Sequence, residues 1–194
     1  RTTSRVTCTK PTAAQAADGH PLYAEEITGL LIDEGRLVLK DGRWTSTGDL
    51  SDLPVPPTIS ALLAARLDRL PALERQAIEI GSVTGQVFYP AAVRELSPDG
   101  PDAIDAGLAS LVRKQFVRPE RSDLPATDAL GFRHLLIRDT AYASVPKATR
   151  ADLHERFADW LDRAAGSMGE RDEILGYHLE QAYRYRAELG PADE

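Results

Sequence analysis

Residues 132–145, FRHLLIRDTAYASV, hold the densest chemistry in the chain. His134 is one of only four histidines. It falls where a β-prone run, ALGFRH, gives way to a helical apolar pattern. An imidazole can donate a hydrogen bond to a phosphate, and its ordinary pKa of ~6.5 makes charging beside an anion easy. A strand-to-helix junction adds unpaired amide donors and the positive end of a helix dipole. Arg133 and Arg138 add local positive charge. The plainer reading is a surface or packing histidine that caps the helix. Asp139 beside Arg138 is expected to form a solvated pair of small effect. Tyr142, at helical spacing from Arg138, is expected in the core.

Other chemistry is missing. No G-x-x-x-x-G-K-[ST] loop is present to cradle a triphosphate. No strand ends in paired acids, and no nucleophile-elbow sequence supports a Ser-His-Asp set. His20, His134, His154 and His178 lie far apart in sequence, and one cysteine is too few for a structural zinc site. The chain is therefore expected to be no enzyme by itself, with no catalytic and no metal-binding residues.

Several elements must position the chemistry that remains. A short helix is expected through AAQAAD, stopping at Gly19. Pro21 is well placed as the first residue of the next helix, with Leu22, Ile27, Leu30 and Leu31 inward and Gly29 weakening the pattern. Asp41-Gly42, between two β-prone runs, marks a hairpin. A proline-rich linker leads to Thr58, a candidate cap. Ile59, Leu62, Leu63, Leu67 and Leu70 then line one helix face, with Arg66, Asp68 and Arg69 largely off it. Pro71 opens another helix, with Leu73, Ala77 and Ile80 inward. YPAAVREL reads as a short helix. A longer one at 101–115 has Ile104, Leu108, Leu111 and Val112 inward. FVRPE and ALGFRH are strands. Three helices followed by a hairpin is the winged-helix order. Two helices close the chain. The first buries Leu153, Phe157, Trp160, Leu161 and Ala164. The second buries Leu175, Leu179, Ala182 and Tyr183. Tyr177, Tyr183 and Tyr185 are expected to pack on a following repeat.

Composition sets outer bounds. The chain has 194 residues, 42% hydrophobic and 27% charged, with net charge −7. That balance argues against a dedicated nucleic-acid binder or an anionic-membrane signal. No apolar run approaches the ~20 residues that span a bilayer. The lone Cys8 cannot form an internal disulfide, which points to a reducing, cytoplasmic setting. The abrupt start without Met points to a piece of a longer protein.

The stretches DGHPLYAEEITGLLIDEGRL, GRW, LPVPPTISALLAARLDRLPALERQAI, FRHLLIRDTAYASV and YHLEQAYRYRAELG together resemble the region after the ATPase core of bacterial STAND-type signalling NTPases. These are large regulators that join a class III nucleotide-cyclase domain, or a DNA-binding domain, to an AAA-like ATPase and TPR repeats. The resemblance covers about residues 13–190. It implies a mainly α fold: a tail at 1–12, a helical lid with a β-hairpin at 13–57, a winged-helix domain at 58–148, and a helical hairpin at 149–194 that begins a TPR-like array. GHPLY is similar to the family's Gly-x-Pro motif. This implies a contact from Pro21 to the adenosine part of a nucleotide, with Gly19 shaping the turn. RHLLI resembles the Met-His-Asp motif of NB-ARC relatives, which implies a contact from His134 to the β-phosphate of ADP. His20 and Leu135 stand where the family usually has Asn and an acid.

The function implied is a module that senses nucleotide state for an upstream ATPase core absent from this chain. ADP would be touched at opposite ends by Pro21 and His134, clamping lid and winged helix. ATP would release the clamp. The cofactor is thus ATP or ADP with that core, and none for the isolated chain. The expected partners are the upstream core, downstream TPR repeats, and a protein partner or a second copy, with no membrane. A winged-helix DNA-binding regulator and a helical-repeat scaffold are the alternatives. The first is disfavoured because Asp102 and Asp105 offset Arg113 and Lys114 on the third helix.

Overall fold

The computed structural model describes residues 21–47, 58–122, 124, 127–164 and 171–190. The chain divides into two compact units, residues 1–66 and 67–194. It is mainly helical, with short antiparallel strands. The expected tail, the AAQAAD helix, Gly19, His20 and the proline-rich linker lie outside the described residues. Among the described residues, no helix is long and apolar enough to cross a membrane.

In the first unit, α1 (Pro21–Asp33) opens on proline, whose fixed φ suits a first helical residue. Its Tyr23, Ile27 and Leu30 pack with Leu62 of α2 (Ile59–Asp68). Leu22, expected inward, is only half-buried, while Tyr23 and Glu26 turn in. The Thr58 hydroxyl caps α2 by accepting from the Ala61 amide at 3.1 Å. β1 (Leu37–Lys40) pairs antiparallel with β2 (Arg43–Ser46). Asp41 (φ 49°) and Gly42 (φ 75°) supply the two left-handed residues that a tight hairpin turn demands.

Arg66 corrects the sequence reading. Expected off the apolar face, it is 3% exposed. It forms ion pairs with Glu26, also buried, and with Asp33 at 3.0 Å. Gly29 explains how. A Cβ there would come within 2.7 Å of the Arg66 guanidinium. The glycine that weakens the helix locally is what lets the cation lie across it.

The second unit runs α3 (Ala72–Thr84), β3 (Val87–Phe88), α4 (Pro90–Leu96), α5 (Pro101–Arg113), β4 (Val117–Glu120), β5 (Ala129–Phe132), α6 (Leu135–Ser144), α7 (Lys147–Ala164) and α8 (Arg171–Leu189). The expected three helices and hairpin stand in order at α3, α4, α5 and β4–β5. β3 was not expected, because two residues are too short for any alternation to register. It completes a three-stranded antiparallel sheet of order β3-β5-β4, pairing Val87 with Gly131, while β4 pairs Val117 with Phe132. Ile78, Val93, Ile104, Leu111 and Ile137 are fully buried between sheet and helices, and Phe88 lies 5.3 Å from Phe132.

Some inward positions move. Leu73 is 37% exposed, and its neighbour Glu74 is buried instead, paired with Lys114 at 2.7 Å. Val112 is half-buried and Ala164 exposed. α8 departs most. Leu179 and Tyr183 are exposed and Leu175 half-buried, while His178 and Ala182 face inward. The helix is turned by the polar partners that α6 and α7 offer.

Candidate functional site

His134 bridges β5 and α6. It is the N-cap of α6, with an extended backbone (φ −144°, ψ 145°). Its Nδ1 accepts a hydrogen bond from the Leu136 amide at 3.2 Å. This is the helix cap of the plainer reading of His134. An Nδ1 that accepts leaves the ring proton on Nε2. The exposed imidazole thus presents an Nε2–H donor at a helix N-terminus.

The junction is held in place by α5. The last turn of α5 closes when the Phe116 amide donates to the Leu111 carbonyl at 3.0 Å, with Gln115 in the left-handed region (φ 64°). The Gln115 amide oxygen accepts from Arg133, and the Arg133 amide donates to Phe116 at 3.0 Å. Arg138 is tied inward, its Nε donating to the Ser82 carbonyl at 2.9 Å and its Nη1 pairing with Asp139 at 3.1 Å. Pro21 opens α1 and is exposed. It belongs to the first unit and His134 to the second. Gly19 lies outside the described residues.

A second constellation follows α6. Tyr142, expected in the core, is a half-buried polar node. Its hydroxyl lies 2.9 Å from His154 Nε2 and 2.8 Å from the Tyr185 hydroxyl. Across the other face of the His154 ring, Nδ1 meets His178 Nδ1 at 2.8 Å. Arg150 donates to Tyr185 at 3.3 Å. Arg138 and Arg150 stack on the Tyr142 ring at 4.7 and 4.4 Å. Tyr185, expected to await a following repeat, is thus held within the chain.

The Tyr142 hydroxyl has one hydrogen, so it donates to His154 or to Tyr185 and accepts from the other. The chain of bonds has two self-consistent polarities. Reversing it changes the tautomer of both histidines. Burial, reinforced by the charges of Arg138 and Arg150, lowers the His154 pKa to about 4. Burial and the neighbouring His154 and Arg138 lower that of His178 to about 3. Burial chiefly, then the bond that Tyr142 gives to Tyr185, raises the Tyr142 phenol. Both imidazoles are neutral at pH 7. The two guanidiniums make the cluster hostile to a cation. Among the described residues, no group of three or more His, Cys, Asp or Glu is placed to hold a metal.

The sequence reading separated these histidines because they stand 24 positions apart. The signal that could have joined them is geometric. In an antiparallel helix pair, positions at similar distances from the joined ends face each other, and His154 and His178 lie ten residues before the end of α7 and seven after the start of α8.

No family model matches the chain, and no solved structure matches it. An uncharacterized protein of Rhizobium meliloti (strain 1021) is 31% identical over 179 residues, covering 81% of this chain and 16% of that protein. The chain thus spans about a sixth of that relative's length.

Proposed function

We propose that this chain is the regulatory part of a larger STAND-type signalling ATPase: a lid, a winged-helix domain and the first helices of a TPR-like array. It senses ADP or ATP held by an upstream core and passes that state onward. The observation that carries this reading is His134: an exposed Nε2–H donor at the start of α6, with Nδ1 already engaged in the cap. A helix N-terminus carrying an imidazole donor is suited to a phosphate. The order α3-β3-α4-α5-β4-β5, with β5 central in its sheet, supports the winged-helix assignment. Pro21 at the first residue of α1 suits the adenosine contact. The long relative supports a multidomain parent.

DNA reading is disfavoured by the same geometry. On the third helix of the winged unit, Asp105 is taken by Arg94 at 2.7 Å and Lys114 by Glu74 at 2.7 Å. Arg118 on the hairpin pairs with Glu120 at 3.2 Å. Cations already paired with the chain's own carboxylates are poor phosphate ligands for a duplex.

The test is substitution of His134 in the full-length parent. His134→Ala removes a charge-assisted bond worth ~1.5–3 kcal/mol, so ADP affinity should fall at least ~10-fold. His134→Ser keeps a capping oxygen and loses the imidazole. It should lose ADP equally while melting like the wild type. Unchanged ADP retention in both variants overturns the reading.

A further inference from the structure

We propose that Tyr142 is a positioning residue that couples the His134 junction to the seating of α8. The inference rests on the nucleotide reading only for the ligand that acts at the junction.

Three observations carry it. First, α6 is a stiff connector. Its ten residues, LLIRDTAYAS, contain no Gly or Pro, so nothing in it favours a kink. His134 caps one end and Tyr142 lies eight residues on, ~12 Å along the axis at 1.5 Å per residue. A displacement at the cap therefore reaches Tyr142 largely undiminished. Second, α8 is lightly held by apolar contact. Of its 19 residues only His178 and Ala182 are buried. Exposed ion pairs at its rim, Arg186 with Glu155 and Glu188 with Lys147, add little. Its seat is set by the polar chain that starts at Tyr142. Third, that chain is short and directional. The Tyr142 hydroxyl makes two bonds of 2.8 and 2.9 Å, one to His154 of α7 and one to Tyr185 of α8. A shift of about 1 Å takes both beyond hydrogen-bond range. It leaves Nε2 of buried His154 unsatisfied and frees the Tyr185 hydroxyl of α8, which favours release of α8. In the ADP-bound state α6 is held, and α8 is docked. When the phosphate contact is lost, α6 is freed and α8 loosens.

The experiment is hydrogen exchange resolved by element on the full-length protein, with and without saturating ADP. The variant is Tyr142→Phe, which keeps the ring under Arg138 and Arg150 and deletes the hydroxyl. Without nucleotide, α8 amides in Tyr142→Phe should exchange at least ~10-fold faster than in the wild type, while α3 and α5 stay within twofold. Arg186→Ala, also on α8 but outside the chain of bonds, should change α8 by less than twofold. With ADP, wild-type α8 should slow at least ~5-fold, and Tyr142→Phe should show no such response while still retaining ADP. Unchanged α8 exchange in nucleotide-free Tyr142→Phe overturns the proposal. A wild-type protein that binds ADP with no change in α8 also overturns it. A wild type that fails to bind ADP sinks the nucleotide reading and the transmission with it. The hold of Tyr142 on α8 is then still decided by the nucleotide-free comparison.

Discussion

At the scale of single residues, the chain repeatedly puts charge and polarity where an apolar pattern points elsewhere. Arg66 is the plainest case. Buried with Glu26, it is matched by a carboxylate that would be stranded by its removal. Arg66→Ala should therefore destabilise the first unit by ~3–5 kcal/mol, read as a lowered denaturant midpoint. Gly29→Ala is the companion test. Alanine normally helps a helix by ~1 kcal/mol over glycine. Here its Cβ meets the guanidinium at 2.7 Å. Displacing that group from Glu26 should reverse the sign, and a net gain in stability would refute the slot. Neither residue was legible as a pair. Periodicity marked Gly29 as a weakness and Arg66 as surface, because pattern analysis sees one helix at a time.

At the scale of elements, turns and caps were the most readable features. Asp41-Gly42, Thr58 and Pro21 act through local backbone rules, and each stands where local sequence put it. Gln115 is the exception: like Asp41 it is a non-glycine in the left-handed region, but no following glycine marks the turn. Gln115→Gly should relieve up to ~1 kcal/mol of backbone strain, offset in part by the lost acceptor for Arg133. A thermal midpoint that drops sharply would show that the Arg133 contact matters more than the strain. The α7–α8 pair carries a pH dependence with a definite sign. His154 and His178 have pKa values below the ordinary 6.5, at about 4 and about 3. The folded state binds fewer protons than the unfolded chain. Stability is whole above pH ~6.5 and falls from there as the pH approaches 4 and then 3. Each histidine loses up to ~1.4 kcal/mol per pH unit. Loss of α8 amide protection between pH 6 and 4, ahead of α3 and α5, is the expected signature. Protection that stays level to pH 4 would contradict burial of the neutral pair.

At the scale of the whole molecule, a net charge of −7 and paired cations on the second unit predict no duplex DNA binding at ~150 mM salt. A mobility shift that weakens steeply with salt would restore the DNA reading. The chain alone is also expected to show no ATP hydrolysis, since no phosphate-cradling loop occurs in it. Turnover by the purified chain that is lost on His134→Ala would overturn that expectation.

The sequence by itself determined the helical character, the order of the helices and of every strand but β3, the hairpin turn and the place of His134 at a strand-to-helix junction. These follow from periodicity, turn chemistry and capping, which act over a few residues. Only the tertiary structure decided which polar side chains go inside. Arg66 with Glu26, Glu74 with Lys114, and Tyr142 with His154, His178 and Tyr185 meet across helices separated by loops. Their burial is favourable only because each partner satisfies the other. That condition lives in the distance between helices, and no single stretch of residues contains it.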